Sequence, residues 1–311
     1  MTTLTARTPL EADARSIARV AVVIVNHHSA AATTRCLEAL WRDEPDVPVF
    51  VIDNSQDAQQ THELAQLAPR ATLVQTTNRG FGAGCNIGIA RALATFADLD
   101  AVLLLNPDTL PQPGALRQLC ATLARQGAGA VGARLLSLDG TRTLFEAGRI
   151  RRCTLTRSHA RAHTDATEFA TECLTGACML IAADLLRGGL RFDEGYFLYV
   201  EDMDLSCAIA ARGRTLWVNR DAVVRHADGG TQREPPIAGS MRSRQLYWMT
   251  AGKVRFARKW LSPAHRWCFY LIAVVAKPLV GLVAWRSARF LRPYFAGLRD
   301  GWRGHCAANS M

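Results

Sequence analysis

The chain has 311 residues, 49% of them hydrophobic and 21% charged, and a net charge of +10. That length and apolar content allow one large domain or two modest ones and exclude a disordered chain. The nine cysteines (36, 85, 120, 153, 173, 178, 207, 268 and 306) form no C-x-x-C pair and mostly sit in apolar runs; this argues for a reducing compartment and against a disulfide framework or a structural zinc site.

Residues 1–18 carry Arg7, Glu11, Asp13 and Arg15 and no apolar stretch, so they read as a loose extension and not as a signal peptide. The run VAVVIV (20–25) is apolar and β-branched throughout, as a strand covered on both faces should be. A helical pattern over 30–41 follows, then a second strand, VPVFVID (47–53), which ends in Asp53-Asn54-Ser55. A polar helix over about 57–68 leads to a short strand, TLVQ (72–75). The segment NRGFGAGCNIG (78–88) reads as a glycine-rich turn opening a helix to about 97, and AVLLLNPD (101–108) as a fourth buried strand. Pro113 begins a helix to about 126.

Strands alternating with helices imply an α/β fold with a mostly parallel central sheet and helices on both faces. Ligands in such folds bind beyond the carboxyl ends of the strands, where Asn26, Asp53, Arg79 and Asp108 fall. The second half reads as a strand and hairpin over 131–150, a polar insertion over 151–170 and a buried strand over 172–182. A helix from about 202, and strands at 214–219 and 222–226, complete the body.

The basic excess belongs to the C-terminal tail. From Arg233 onward 14 Lys/Arg stand against Glu234 and Asp300, a net of +12, which leaves −2 for the first 232 residues. That asymmetry fits a membrane-facing appendage and not a nucleic-acid surface. FYLIAVVAKPLVGLVAW (269–285), interrupted by Lys277-Pro278 and flanked by Trp267 and several arginines, suggests shallow or re-entrant insertion ahead of a full span or a buried helix or oligomer contact. The expected organisation is a flexible 1–18, a catalytic domain over 19–232 (nucleotide-binding to about 130, acceptor-binding from about 131) and a basic helical, membrane-associating tail over 233–311.

The chemistry rests on few residues. The dinucleotide fingerprint fails, because its third glycine falls on Cys85 or Ile87, which argues against a nicotinamide dehydrogenase. The glycines are expected to bring the backbone close to a nucleotide, with Arg79 offered to a phosphate. Asp53 can meet a base or ribose edge, or cap a helix. Asn106-Pro107-Asp108 presents a carboxylate at the sheet edge, suited to a hard cation, with His226 as its best partner. The cluster Glu201-Asp202-Met203-Asp204 opens a helix beside FDEGYFLY, whose aromatics could floor a sugar pocket; a carboxylate there can serve as general base.

VIVNHHS (23–29), VIDNS (51–55), NRGFGAGCNIG (78–88), LLLNPDT (103–109), LTGACMLI (174–181), FDEGYFLYVEDMDL (192–205) and VVRHADGG (223–230) occur in this order. Together they resemble a family-2 glycosyltransferase of the GT-A fold, in its bacterial rhamnosyltransferase-like branch, over about residues 20–260. The resemblance implies an inverting single displacement that uses a dTDP- or UDP-linked sugar, Mg²⁺ or Mn²⁺, and a glycan or polyprenyl-diphosphate-linked acceptor, at the inner face of the cytoplasmic membrane. It implies donor contacts at Asn26, Asp53, Asn54, Arg79, Gly80, Asn86 and Asn106, a metal at Asp108 and His226, and Asp202 as the base. Gly176, Tyr199 and Glu201 are expected on the acceptor side. The metal motif departs from the family's usual pattern, with Asn106 where a carboxylate is common. A nucleotidyltransferase is the rival enzyme class, but VIVNHHSA lacks the glycine and lysine of its loop.

Overall fold

The computed structural model describes residues 19–158, 164–227 and 242–304. The extension expected over 1–18, Gly229-Gly230 after His226, and Cys306 lie outside the described residues.

The strand Val20–Asn26 (β1) is buried at every position and is followed by the helix Ala30–Asp43 (α1). Next come Val49–Asp53 (β2), Ala58–Leu67 (α2), Thr72–Gln75 (β3), Phe81–Thr95 (α3) and Ala101–Leu105 (β4). Asp57 caps α2 by accepting hydrogen bonds from the Gln59 and Gln60 N–H groups. These strands pair in parallel in the order β3-β2-β1-β4. The pleat of β1 puts helices on both faces: Val23 and Val25 meet α3, whereas Asn26 turns the other way and accepts a hydrogen bond from Thr33 of α1.

The glycine-rich segment differs from its expected form. Only Gly80 is a turn residue, with φ of 103°; Gly82, Gly84 and Gly88 lie inside α3. A Cβ on Gly84 would stand 2.9 Å from Val25 Cγ1, and one on Gly88 2.3 Å from Val23 Cγ1. These two glycines therefore let a helix lie directly on the sheet. Packing overrides the weak helix propensity of glycine.

The second half is mixed, not parallel. Its elements are Thr109–Pro111 (β5), Ala115–Gln126 (α4), Ala130–Ser137 (β6), Thr143–Phe145 (β7), Arg149–Arg151 (β8) and Thr156–Ser158 (β9). Glu168–Thr171 (β10), Cys178–Ala182 (β11), Ala183–Arg187 (α5), Glu201–Ala210 (α6) and Leu216–His226 (β12) follow. The main sheet runs β10-β12-β6-β11-β4-β1-β2-β3; β11 is antiparallel to both neighbours, and β5 pairs antiparallel with β12. The strand expected over 172–182 begins only at Cys178, leaving Gly176 in the preceding loop.

The two strands expected at 214–219 and 222–226 are one strand with a bulge. Asn219 pairs with Ala133, and the ladder resumes at Val223 opposite Arg134. Asn219, only 1% exposed, builds the bulge: its side-chain oxygen accepts from the Asp221 and Ala222 N–H groups, and its amide donates to Thr122 Oγ1 at 2.8 Å.

Three helices close the described chain: Ser243–Trp260 (α7), Pro263–Trp285 (α8, with one wide π-type turn over Ile272–Ala276) and Leu291–Arg303 (α9). In sequence α7 falls in the tail, yet it packs into the body. Val254, Phe256 and Ala257 of α7 and Phe269 and Ala273 of α8 share a core with Leu155, Tyr196, Val200 and Met203. Phe256 and Phe269 are each 1% exposed, so each contributes about 2 kcal/mol by burial alone.

Candidate active site

A cavity of about 980 Å³ opens at the carboxyl ends of β1, β2 and β4, and its lining includes His27, Asn54, Asn106, Asp108 and Tyr199. Each strand delivers its residue by ending there.

Asn26 and Asp53 stand opposite each other in the β1–β2 ladder and are turned inward. Asp53 Oδ1 accepts from Asn26 Nδ2 at 3.0 Å and the Ser55 N–H at 3.1 Å, and Oδ2 from Thr61 Oγ1 at 2.6 Å. Burial opposes its charge, but hydrogen bonds from Thr61, Asn26 and Ser55 outweigh that and hold the carboxyl below its usual range. Asn54 is the neighbour that lines the cavity; its side-chain oxygen is buried with no hydrogen-bond partner among the described residues. Beside it, burial and then the adjacent His28 keep His27 below the usual imidazole range.

The glycine-rich segment contributes less than its sequence suggests. Gly80 lines the cavity and admits no side chain, since a Cβ would lie 2.2 Å from the Phe197 carbonyl oxygen. Arg79 is 65% exposed at its side chain and pairs with Glu194 at 2.7 Å, and neither residue lines the cavity. Asn86 also turns elsewhere. Its amide donates to the Phe192 carbonyl and to Glu194, and its oxygen accepts from the Phe192 N–H. It staples the 192–194 loop to α3.

Asn106 is fixed by backbone: its N–H donates to the Ala177 carbonyl, and its own carbonyl accepts from the Thr109 hydroxyl. That turn aims Asp108 at His226, with 3.1 Å between Oδ1 and Nε2. The antiparallel pairing of β5 with β12 sets His226 opposite Thr109, so topology makes the pair. Among the described residues no group of three His, Cys, Asp or Glu side chains surrounds a metal-sized site. A hard cation would thus take two protein groups and further oxygens from a substrate, a donor set that suits Mg²⁺ or Mn²⁺ beside a diphosphate.

Asp202 sits in the first turn of α6, where its Oδ1 accepts from the Met203 N–H at 2.8 Å and its Oδ2 lies 3.4 Å from the Gly176 N–H. A Cβ on Gly176 would stand 2.9 Å from Phe81, itself a cavity residue, and 3.9 Å from Asp202 Cβ. Asp202 therefore adjoins the cavity behind Phe81 and Gly176. Glu201 is buried. Tyr199 and Val200 precede this turn with φ of 67° and 71°, a left-handed pair that costs a valine dearly. Gly252 of α7 holds them in place: a Cβ there would meet Val200 Cγ2 at 3.1 Å and the Tyr199 carbonyl at 3.3 Å.

The rest of the brace also comes from α7. Arg255 bonds Asp193 at 2.7 and 3.1 Å. Asp204, 2% exposed, accepts from Tyr196, Lys259 and Trp260. Asp204 is thus a structural carboxylate. Sequence reasoning missed Arg242, Arg244 and Trp248 of α7 and its approach, which also line the cavity. No local pattern says where that helix docks.

Residues 18–249 match the model of a family described as glycosyltransferase like family 2. The chain is 26% identical, over 72% of its length and 80% of the relative's, to an N-acetylglucosaminyl-diphospho-decaprenol L-rhamnosyltransferase of Mycobacterium tuberculosis. Among solved structures it resembles GalNAc-T7 with UDP, GalNAc and Mn²⁺ (TM-score 0.64, 14% identity, 90% of this chain), of which it spans 54%. It also resembles the mannosyltransferase PcManGT of Pyrobaculum calidifontis with GDP-Man and Mn²⁺ (TM-score 0.53, 20% identity, 92% of this chain and 85% of that one). These likenesses show the GT-A fold.

Proposed function

The chain belongs to the glycosyltransferase-like family 2, and from that premise we propose that it moves a sugar from a nucleoside-diphosphate donor onto a lipid-linked glycan. L-rhamnose from dTDP-rhamnose is the foremost candidate, and a UDP-linked sugar the next. Support for rhamnose and for a polyprenyl-diphosphate-linked acceptor comes from the mycobacterial relative's name. The carrying observation is the Asp108–His226 pair on a cavity that Asn54 also lines, with Asp202 adjoining it.

Asn54 offers a buried carbonyl oxygen to the N3–H of uracil or thymine, while Asn26 and Asp53 hold the strand ends that position it. Gly80 and Asn106 shape the donor wall, and Arg242 and Arg244 put two guanidinium groups on the same cavity as a complement to phosphate. Asp108 and His226 would hold Mg²⁺ or Mn²⁺, which when bound neutralises charge on the departing diphosphate. Asp202 takes the proton of an acceptor hydroxyl, whose oxygen bonds to C1 as the C1–diphosphate bond breaks on the opposite face. Configuration inverts, and no covalent enzyme intermediate forms. Gly176, Tyr199 and Glu201 frame the acceptor side. The work is done at the inner face of the cytoplasmic membrane, which the apolar helix α8 supports.

A thermal-shift panel of dTDP-, UDP- and GDP-sugars, with and without Mn²⁺, tests this on the wild type and on Asp108→Ala. Mass action lets a tight ligand raise Tm. The dTDP donor with Mn²⁺ should raise it most, and Asp108→Ala should abolish the Mn²⁺ increment. Failure of every nucleotide to raise Tm, or an unchanged increment in the variant, overturns the assignment.

A further inference from the structure

α8 is 23 residues long and contains an 18-residue stretch with a mean hydropathy of 2.0, enough by length and composition to cross a bilayer. Packing decides otherwise. One face of the helix is committed to protein: Phe269, Ala273, Pro278 and Gly281 are buried, and Tyr294 of α9 donates to the Ala273 carbonyl at 2.6 Å. At the middle of the helix Lys277 Nζ donates to the Thr154 carbonyl at 3.1 Å, in the turn between β8 and β9 beside Arg151 and Arg152. A spanning helix would carry that turn's irregular backbone and charges into hydrocarbon, where neither is tolerated.

The opposite face is bare. Trp267, Leu271, Leu279, Val280 and Val283 are between 59% and 80% exposed, and between Trp267 and Trp285 the only charged residue is the inward-turned Lys277. α9 lies alongside: its Trp302 ring is 5.1 Å from Tyr270, and its preceding Phe290 is 4.9 Å from Trp285. Gly297 and Gly301 seat α9 on α7, where a Cβ would meet the Tyr247 and Ala251 carbonyls at 2.7 and 2.6 Å. The face turned away from α7 repeats at helical spacing as Arg292, Phe295, Arg299 and Trp302, all exposed. Arg286 and Arg289, in the link between the two helices, are exposed as well.

We infer that α8 and α9 form one in-plane lipid-binding face, whose apolar stripe enters the outer hydrocarbon of an anionic bilayer while the arginines of α9 and its link meet lipid phosphates, with no segment crossing. Apolar exposure next to guanidinium and indole groups is the signature of an interfacial helix and not of a span. This docking mode is independent of which sugar is transferred. It also ties the membrane to the base, because α7 carries both the lipid-facing pair and the Gly252 seat beneath Val200.

The full chain is floated with sealed vesicles of phosphatidylcholine containing about a third phosphatidylglycerol, and with phosphatidylcholine alone. The wild type should bind the anionic vesicles in preference. Arg289→Glu with Arg292→Glu should remove that preference, lowering partition about tenfold at low salt. Leu279→Glu with Val283→Glu should release the protein at every salt concentration; because all four positions are exposed, circular dichroism should show native folding in both variants. On bound protein, an impermeant maleimide added outside should label Ser262→Cys and Ser287→Cys alike, the sites being read by mass spectrometry. Protection of one of the two would establish a span and overturn the in-plane mode. Absence of vesicle binding, with self-association that Leu279→Glu abolishes, would overturn the lipid surface in favour of a second copy of the chain.

Discussion

At the ends of β1 and β2, polar groups hold one another at short range: Asn26, Thr33, Asp53 and Thr61 close a network whose longest step is 27 residues, between adjacent strands. Asp202 stands on different ground. The segment 193–204 around it is tied to α7 by bonds that reach 55 to 66 residues along the chain, from Asp193 to Arg255 and Lys259 and from Asp204 to Lys259 and Trp260. The network beneath Asn54 is thus self-supporting, whereas Asp202, the proposed base, is placed by a helix that also carries α8 and α9. The two regions should respond differently to damage.

The largest effect is expected at Asp202, the proposed base. Asp202→Asn keeps the size of the side chain and removes its proton affinity, so turnover should fall about 100-fold or more while donor affinity holds. A variant that kept a third of wild-type turnover would remove Asp202 from the mechanism.

Asp53→Ala probes the other region. It leaves the buried donors of Asn26, Ser55 and Thr61 without their acceptor and should cost about 2 kcal/mol in a denaturant melt. The sign with pH follows from the depressed carboxyl: its stabilisation is complete above the unfolded value near about 4 and is lost as pH falls through the lower folded value. The gap between wild type and variant should therefore narrow only below about pH 4. A gap that narrowed near neutrality would mean that the network is not what holds this carboxylate.

The smallest effect sharpens the contrast most. Arg255→Met removes the clamp on Asp193 without touching the cavity and should lower turnover about tenfold with donor affinity unchanged. Arg255→Lys should recover part of the loss. Should donor affinity fall in step with turnover, the two regions are coupled and the contrast fails.

Much of the sheet was legible because buried strands carry their own signal: the apolar run 20–25 and the strand ending at Asp53 lie where expected. The seven ordered motifs carried the family, to which the match over 18–249 assigns the chain. What escaped has specific causes. Gly82, Gly84 and Gly88 looked like a turn because glycine disfavours helices, and only the surface of β1 explains why they are needed. Short β5 and β10 carry too few residues for any period to show. Arg79 and Asn86 carried the right residue types, but their partners, Glu194 and Phe192, lie more than 100 residues away. Arg242, Arg244 and Trp248 were out of reach for the same reason.

The bulge in β12 makes chain length, beside the Asn219 side chain that builds it, a guardian of one contact of the candidate site. Arg220, Asp221 and Ala222 stand outside the ladder between Asn219 and Val223, and the three-residue step sets which face of the strand His226 occupies. The exposed Asp221 could be exchanged for many residues at little cost. Loss of a single residue there would instead turn His226 to the other face of the sheet and part it from Asp108, with neither residue altered. Across descendants of this chain, the spelling at 221 is free to drift while the number of letters over 220–222 is not.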